Sequence, residues 1–154
     1  EYTYDVLKKY GPAAVEDNRH HKVTKALEDV TFINIAVTGV IANITKSFSQ
    51  SALGHMMYDG VRTFFTQEAK DALHGEIVAV ALFTQLYYNK LSEQKEQLKE
   101  FMRGMDMPLT LEELGVPCTE KNLKTLEDYL IDSPYVDPSP ESLALLHEAM
   151  KQMQ

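Results

Sequence analysis

The chain has 154 residues, 44% of them hydrophobic and 25% charged, and a formal net charge of -8. That length reads as one globular domain, able to bury about 70% of its unfolded surface without covalent staples. The acidic balance, with no cluster of Lys and Arg, excludes nucleic acid as the main partner; the single cysteine, Cys118, excludes an internal disulfide and fits a reducing, cytoplasmic setting.

Glu1 to Tyr10 is helix-forming, with Tyr4, Leu7 and Tyr10 at spacings of three. Gly11-Pro12 is expected to break it, Pro12 opening a second helix that runs to about Val37. Val23, Leu27, Val30 and Val37 carry a buried helical period through this stretch, and Gly39 is expected to end it. Residues Val40 to Phe48 read as a connector, and Ser49 or Ser51 as the cap of a helix ending near Phe65. On that helix Leu53, Met57, Val61 and Phe64 share a side, while His55 falls about 160–200° away with Ser51, Asp59 and Arg62.

Thr66 to Leu73 is a short polar turn, His74-Gly75 interrupts the chain, and Glu76 to Leu91 is a helix apolar almost all round. A helix of that kind is usually central; with the Pro12-to-Ala36 helix it is expected to form the middle of the bundle. Ser92 caps a charged helix that Gly104 ends, and Thr110 with Glu113 has capping-box spacing before Gly115. Thr119 caps a helix buried through Leu123, Leu126 and Leu130; Ser139-Pro140 opens the last, with Leu143, Leu146 and Met150 inward. The fold expected is all-α: a bundle of about seven or eight helices forming one domain over 1–154. No leader opens the chain, and no apolar run is expected to reach the roughly 20 residues a membrane span needs. A start at Glu1, in residues that already look helical, reads as a piece of a longer protein.

The chemistry-bearing residues of note are two histidines on the most rigid segments. Neutral imidazole is a good ligand for zinc or iron, and His55 and His74 lie nineteen residues apart across a turn. Ten residues of helix after His55 cover about 15 Å, and the eight-residue connector can span back over that distance at about 3.3 Å per residue. The spacing allows the rings to converge and equally allows two unrelated polar histidines. A zinc site usually needs a third protein ligand, and nothing singles out Asp59, Asp71 or Glu76 for it. His20 and His21 read as a solvated helix face, His147 as structural, Cys118 as incidental, and Met102, Met105 and Met107 as gap-fillers. No glycine-rich phosphate loop is present.

Three motifs, TGVIAN, ALGHMMYDG and LHGEIVAVAL, occur in an order and spacing that resemble one family. It is the glycerol dehydrogenase group of metal-dependent polyol dehydrogenases, in the iron-containing alcohol dehydrogenase superfamily. The likeness is to its C-terminal helical domain, over roughly residues 30 to 118, and PLTLEELGVP resembles the family's tail. The resemblance implies a two-domain enzyme whose N-terminal nucleotide-binding α/β domain is absent from this chain. It implies that His55 and His74 are two of three ligands to a divalent metal, zinc more than iron, the third being an aspartate upstream. It further implies NAD(P) held mainly by the missing domain, a homo-oligomer in full length, no membrane, and no catalysis by this chain alone.

The implied reaction is oxidation of the CH–OH group of a polyol such as glycerol, or of a related alcohol or 2-hydroxy acid. The metal polarises the hydroxyl and hydride passes to nicotinamide. Ser51, Tyr58, Asp59 and Arg62 become candidates for the substrate cleft. Tyr58 stands where the family has a second histidine, Asp59 where it has asparagine, and Ala81 where it has glycine, which leaves the substrate open. Two other readings compete: a metal-dependent lyase of the dehydroquinate synthase kind, and a non-catalytic helical interaction module.

Overall fold

The computed structural model describes residues 2–45 and 52–154. Among them every regular element is helical, in line with the all-α expectation: α1 (Tyr2–Arg19), α2 (Lys25–Phe32), α3 (Thr38–Thr45), α4 (Leu53–Phe64), α5 (His74–Tyr88), α6 (Ser92–Arg103), α7 (Glu120–Ile131) and α8 (Pro140–Met150). A π-helical segment, Ile33–Val37, joins α2 to α3 without a break, and a 3-10 turn, Lys151–Met153, follows α8. By its contacts the chain divides into two compact units, Glu1–Gln50 with Gly104–Asp106, and Ser51–Arg103 with Met107–Gln154.

In the first unit α1 packs against α2. The break expected at Gly11-Pro12 is not there: α1 runs straight through both residues. A proline inside a helix costs about 3 kcal/mol, offset here by burial of Gly11 and Ala14 on the packed side while Pro12 faces out. The chain turns later, at His20 and His21, where His21 takes a left-handed backbone (φ 53°) and lies in the turn rather than on a helix. Thr24 then caps α2, its hydroxyl accepting the Leu27 N–H at 3.3 Å and donating to Asp17. Val23, expected on a buried stripe, precedes this cap and is 80% exposed.

Gly39 does not end the helix, and the connector expected from Val40 is helical as far as Thr45. The branched run FINIAV stays helical by widening: the Thr38 N–H and hydroxyl both donate to the carbonyl of Ile33, five residues back. Lys25–Ile44 thus forms one helix of 20 residues, long and apolar enough to cross a membrane by length and composition, which the sequence reading did not anticipate. Among those residues only Ile33 is buried, whereas Phe32, Ile35, Val40 and Ile44 are largely exposed.

The second unit holds a continuous core. Its axis is α5, whose Ile77, Val80, Ala81 and Phe83 are buried among α4, α6 and α8. Burying a side chain such as Phe83 is worth about 2–3 kcal/mol. The Pro12-to-Ala36 stretch, expected beside α5, belongs to the other unit. Small residues let α4 approach its neighbours. A Cβ on Gly54 would meet the Gln85 side chain of α5 at 3.4 Å, and one on Gly60 would meet Tyr129 of α7 at 3.0 Å. Leu123, Leu126 and Leu130 of α7 and Leu146 and Met150 of α8 face inward as their spacing indicates, and Thr119 and Ser139 cap these helices.

Candidate metal centre

Everything at this site lies within the second unit, on α4, on α5 and on the connector between them. Ser49 and Ser51, the expected caps of α4, lie outside the described residues, and so does Ser51 as a cleft candidate. The N-cap position belongs to Ala52, which has no capping side chain. Gln85 of α5 substitutes for one: its Oε1 accepts the Gly54 N–H at 2.9 Å, satisfying one of the unpaired donors of the first helical turn. The turn that carries His55 is thereby tied to the core helix.

His55, Tyr58, Asp59 and Arg62 fall at i, i+3, i+4 and i+7 and share one face of α4. Leu53, Met57 and Val61 occupy the buried side, so His55 is half-buried rather than packed away. His74 is the first residue of α5 and is exposed. Its position is set by Glu76, whose Oε2 accepts the Leu73 N–H at 2.7 Å, half of a capping box. That carboxylate, weighed from sequence as a metal donor, is committed to the helix start.

The two imidazole centroids stand 6.0 Å apart with their planes at 51°. An imidazole nitrogen binds zinc at about 2.0–2.1 Å, which puts each ring centroid about 3.2 Å from the ion and two rings at most about 6.4 Å apart. The observed separation lies between that linear limit and the roughly 5.2 Å of a tetrahedral pair, so the two rings can share an ion after a small inward shift. Tyr58 leans on His74, ring centroids 4.2 Å apart at 56°. The Arg62 guanidinium sits 5.6 Å from the Tyr58 ring centre and donates to two backbone carbonyls of the connector, Ala69 at 2.9 Å and Ala72 at 2.6 Å. Asp59 is exposed on the same face. Among the described residues no three His, Cys, Asp or Glu side chains come together as a metal-binding set.

The remaining candidates lie elsewhere. His147 Nδ1 pairs with the buried Glu127 at 3.0 Å, in a groove of about 720 Å³ between α7 and α8 that holds none of the site residues above. Burial, with a smaller contribution from Glu112, pushes the Cys118 thiol up from its ordinary value. Sequence reasoning missed the grip of Arg62 on the connector, because carbonyl acceptors carry no residue signature. The Glu76 cap was within reach: Glu three residues after Leu73 at a helix start is a readable spacing.

No protein-family model matches the chain. Among curated proteins it is 30% identical over 116 residues to glycerol dehydrogenase 1 of Schizosaccharomyces pombe, covering 73% of this chain and 24% of that one. It is 27% identical over 116 residues to the glycerol dehydrogenase of Thermotoga maritima, covering 73% and 30%. The chain thus spans about a quarter to a third of the length of these relatives. In fold it matches a probable glycerol dehydrogenase from Sinorhizobium meliloti with a TM-score of 0.81 at 19% identity, over 99% of this chain and 42% of that structure. It matches the Schizosaccharomyces pombe glycerol dehydrogenase with a TM-score of 0.77 at 24% identity, over 97% and 38%. In sequence and in fold this all-α chain is similar to part of the glycerol dehydrogenases, the family that its three motifs resemble.

Proposed function

We propose that this chain is the helical half of a metal-dependent, NAD(P)-linked oxidoreductase acting on the CH–OH group of a polyol, with His55 and His74 as two donors to one divalent ion. The observation that carries this is the approach of two imidazoles from different helices to 6.0 Å between ring centres, a small inward shift from sharing an ion. When bound, such an ion acts as a Lewis acid that lowers the pKa of a substrate hydroxyl. Zinc suits two neutral imidazoles better than the harder cations do. The third donor and the nicotinamide site are assigned to the rest of a longer polypeptide, which the partial coverage of the relatives supports.

The chain's own residues orient the substrate. His55 and His74 are presented from the first turns of α4 and α5, both anchored on the core. The exposed Asp59 carboxylate accepts hydrogen bonds, as a polyol hydroxyl would offer them. Tyr58 forms an aromatic wall against His74 and fills room that a smaller side chain would leave to water.

The test takes a full-length polypeptide carrying this chain, with a panel of polyols and 2-hydroxy acids. Reduced nicotinamide is followed with zinc, with chelator, and in His74→Ala. Turnover that needs zinc and disappears in the variant is the expected result, with the 154 residues alone inactive. Turnover that survives both chelator and His74→Ala overturns the assignment.

A further inference from the structure

We propose that Arg62 is a positioning residue that sets the separation of His55 and His74; this rests on the metal reading of that pair. The two histidines are on different helices, so their spacing is decided by the packing of α4 on α5 and, at the His74 end, by the connector that leads into α5, residues 65–73. The connector lacks proline and forms turns rather than a helix, with Phe65 and Ala69 buried in the core and the residues between them exposed. Besides that burial and the Glu76 cap at its end, two contacts grip its backbone. On one side, Gly115 approaches so closely that a Cβ there would lie 2.3 Å from the Glu68 carbonyl oxygen. On the other, Arg62 reaches from the His55 face of α4 and donates to the carbonyls of Ala69 and Ala72.

Ala72 is two residues before His74. Its carbonyl is therefore a short lever on the ring, and the other end of the lever is fixed to the helix that bears His55. Tyr58 adds a second link: its ring centre is 5.6 Å from the Arg62 guanidinium and 4.2 Å from the His74 ring centre. Arginine suits this task because its planar fork offers two donors in fixed directions, as carbonyls three residues apart require. A lysine ammonium is a single point and cannot hold both in the same geometry. The guanidinium so occupied is spent on backbone acceptors rather than offered to a substrate. Bonds from a charged donor are also roughly twice as strong as neutral ones, so the linkage is a stiff one.

The test is a zinc titration of the 154-residue chain, followed by NMR through the ring resonances of His55 and His74. Wild type is compared with Arg62→Gln and Arg62→Lys, with urea unfolding on each as a folding control. In wild type both rings are expected to shift with one common dissociation constant. In Arg62→Gln zinc affinity is expected to fall about 10-fold or more, as losses of outer-shell partners do. The nuclear Overhauser contact between the Tyr58 and His74 rings is lost before any zinc is added. Arg62→Lys is expected to fall between the two. If Arg62→Gln folds and binds zinc within twofold of wild type with the ring contact intact, the proposal is overturned while the metal reading stands. If wild-type His55 and His74 do not shift together, the pair holds no ion by itself and the proposal is overturned, while the metal reading is decided by chelator and His74→Ala in the full-length polypeptide. Should Arg62→Gln not fold, Arg62→Lys decides, and wild-type affinity in that variant overturns the proposal.

Discussion

Gly115→Ala should destabilise the second unit far more than a glycine-to-alanine change usually does. Two independent costs meet at this residue. Its φ of +92° lies where an L side chain is strained, worth about 1–2 kcal/mol. The new Cβ would also stand 2.3 Å from the Glu68 carbonyl oxygen and 3.2 Å from its carbon. The nearer partner is backbone and has no rotamer to change. The connector must move by roughly 0.7 Å or more, an overpacking cost of about 1–3 kcal/mol. The expected loss is therefore about 2–5 kcal/mol.

Gly75→Ala is the matched control. It lies in the first turn of α5 with nothing within 4 Å of its Cβ, so the change should be neutral or stabilising by up to about 1 kcal/mol. Urea unfolding of both variants, with m values compared to wild type, measures the difference. A Gly115→Ala chain within about 0.5 kcal/mol of wild type at unchanged m would refute the close approach, and with it one restraint on the connector.

Three further outcomes follow from packing and ionisation. Leu126→Ala should cost about 2–5 kcal/mol, because Leu126 is fully buried where α4 approaches α7; a smaller loss in urea unfolding would mean the site collapses around the cavity. Alkylation of Cys118 should be half-maximal at a pH above that of a free thiol, about 8.5, since burial holds the proton on; a rate profile centred at or below that value would contradict the assignment. The Asp137 carboxylate is held below its usual range by hydrogen bonds from the Ser139 side chain and backbone. Its contribution is present above the unfolded pKa of about 3.9 and is lost as pH falls through the lower folded value. Unfolding of Asp137→Asn should therefore depend less on pH below about 4 than that of wild type, and parallel curves would sink the argument.

What could be read from the sequence was local. Thr119, Ser139-Pro140, Ser92 and Gly104 carry boundary signals one residue wide, and the structure places helix ends there. The same reasoning put His55 off the buried side of α4 and α5 at the centre of its core. It failed where a local preference meets a tertiary one. Gly11-Pro12 has the strongest breaking signal in the first twenty residues, yet burial of Gly11 and Ala14 against α2 carries the helix through. The actual turn falls on His21, whose left-handed backbone has no obvious mark in the sequence; Thr24 before a helix-forming run was the cue available. The branched run through Ile33 to Val37 keeps its helical period through one wide turn, in which Thr38 bonds back to the Ile33 carbonyl. Spacing left open whether His55 and His74 meet, because a nineteen-residue separation fixes no distance. Their geometry depends on backbone carbonyls gripped by Arg62, and the acceptors at Ala69 and Ala72 belong to the main chain.

The apolar side of the Lys25–Ile44 helix has a consequence for handling this chain by itself. Phe32, Ile35, Val40 and Ile44 lie exposed on one folded helix, and exposed apolar surface of that kind drives association. Purified alone, the 154 residues should self-associate at concentrations where the core around α5 is still fully folded, and a variant that strengthens that core would leave the association unchanged.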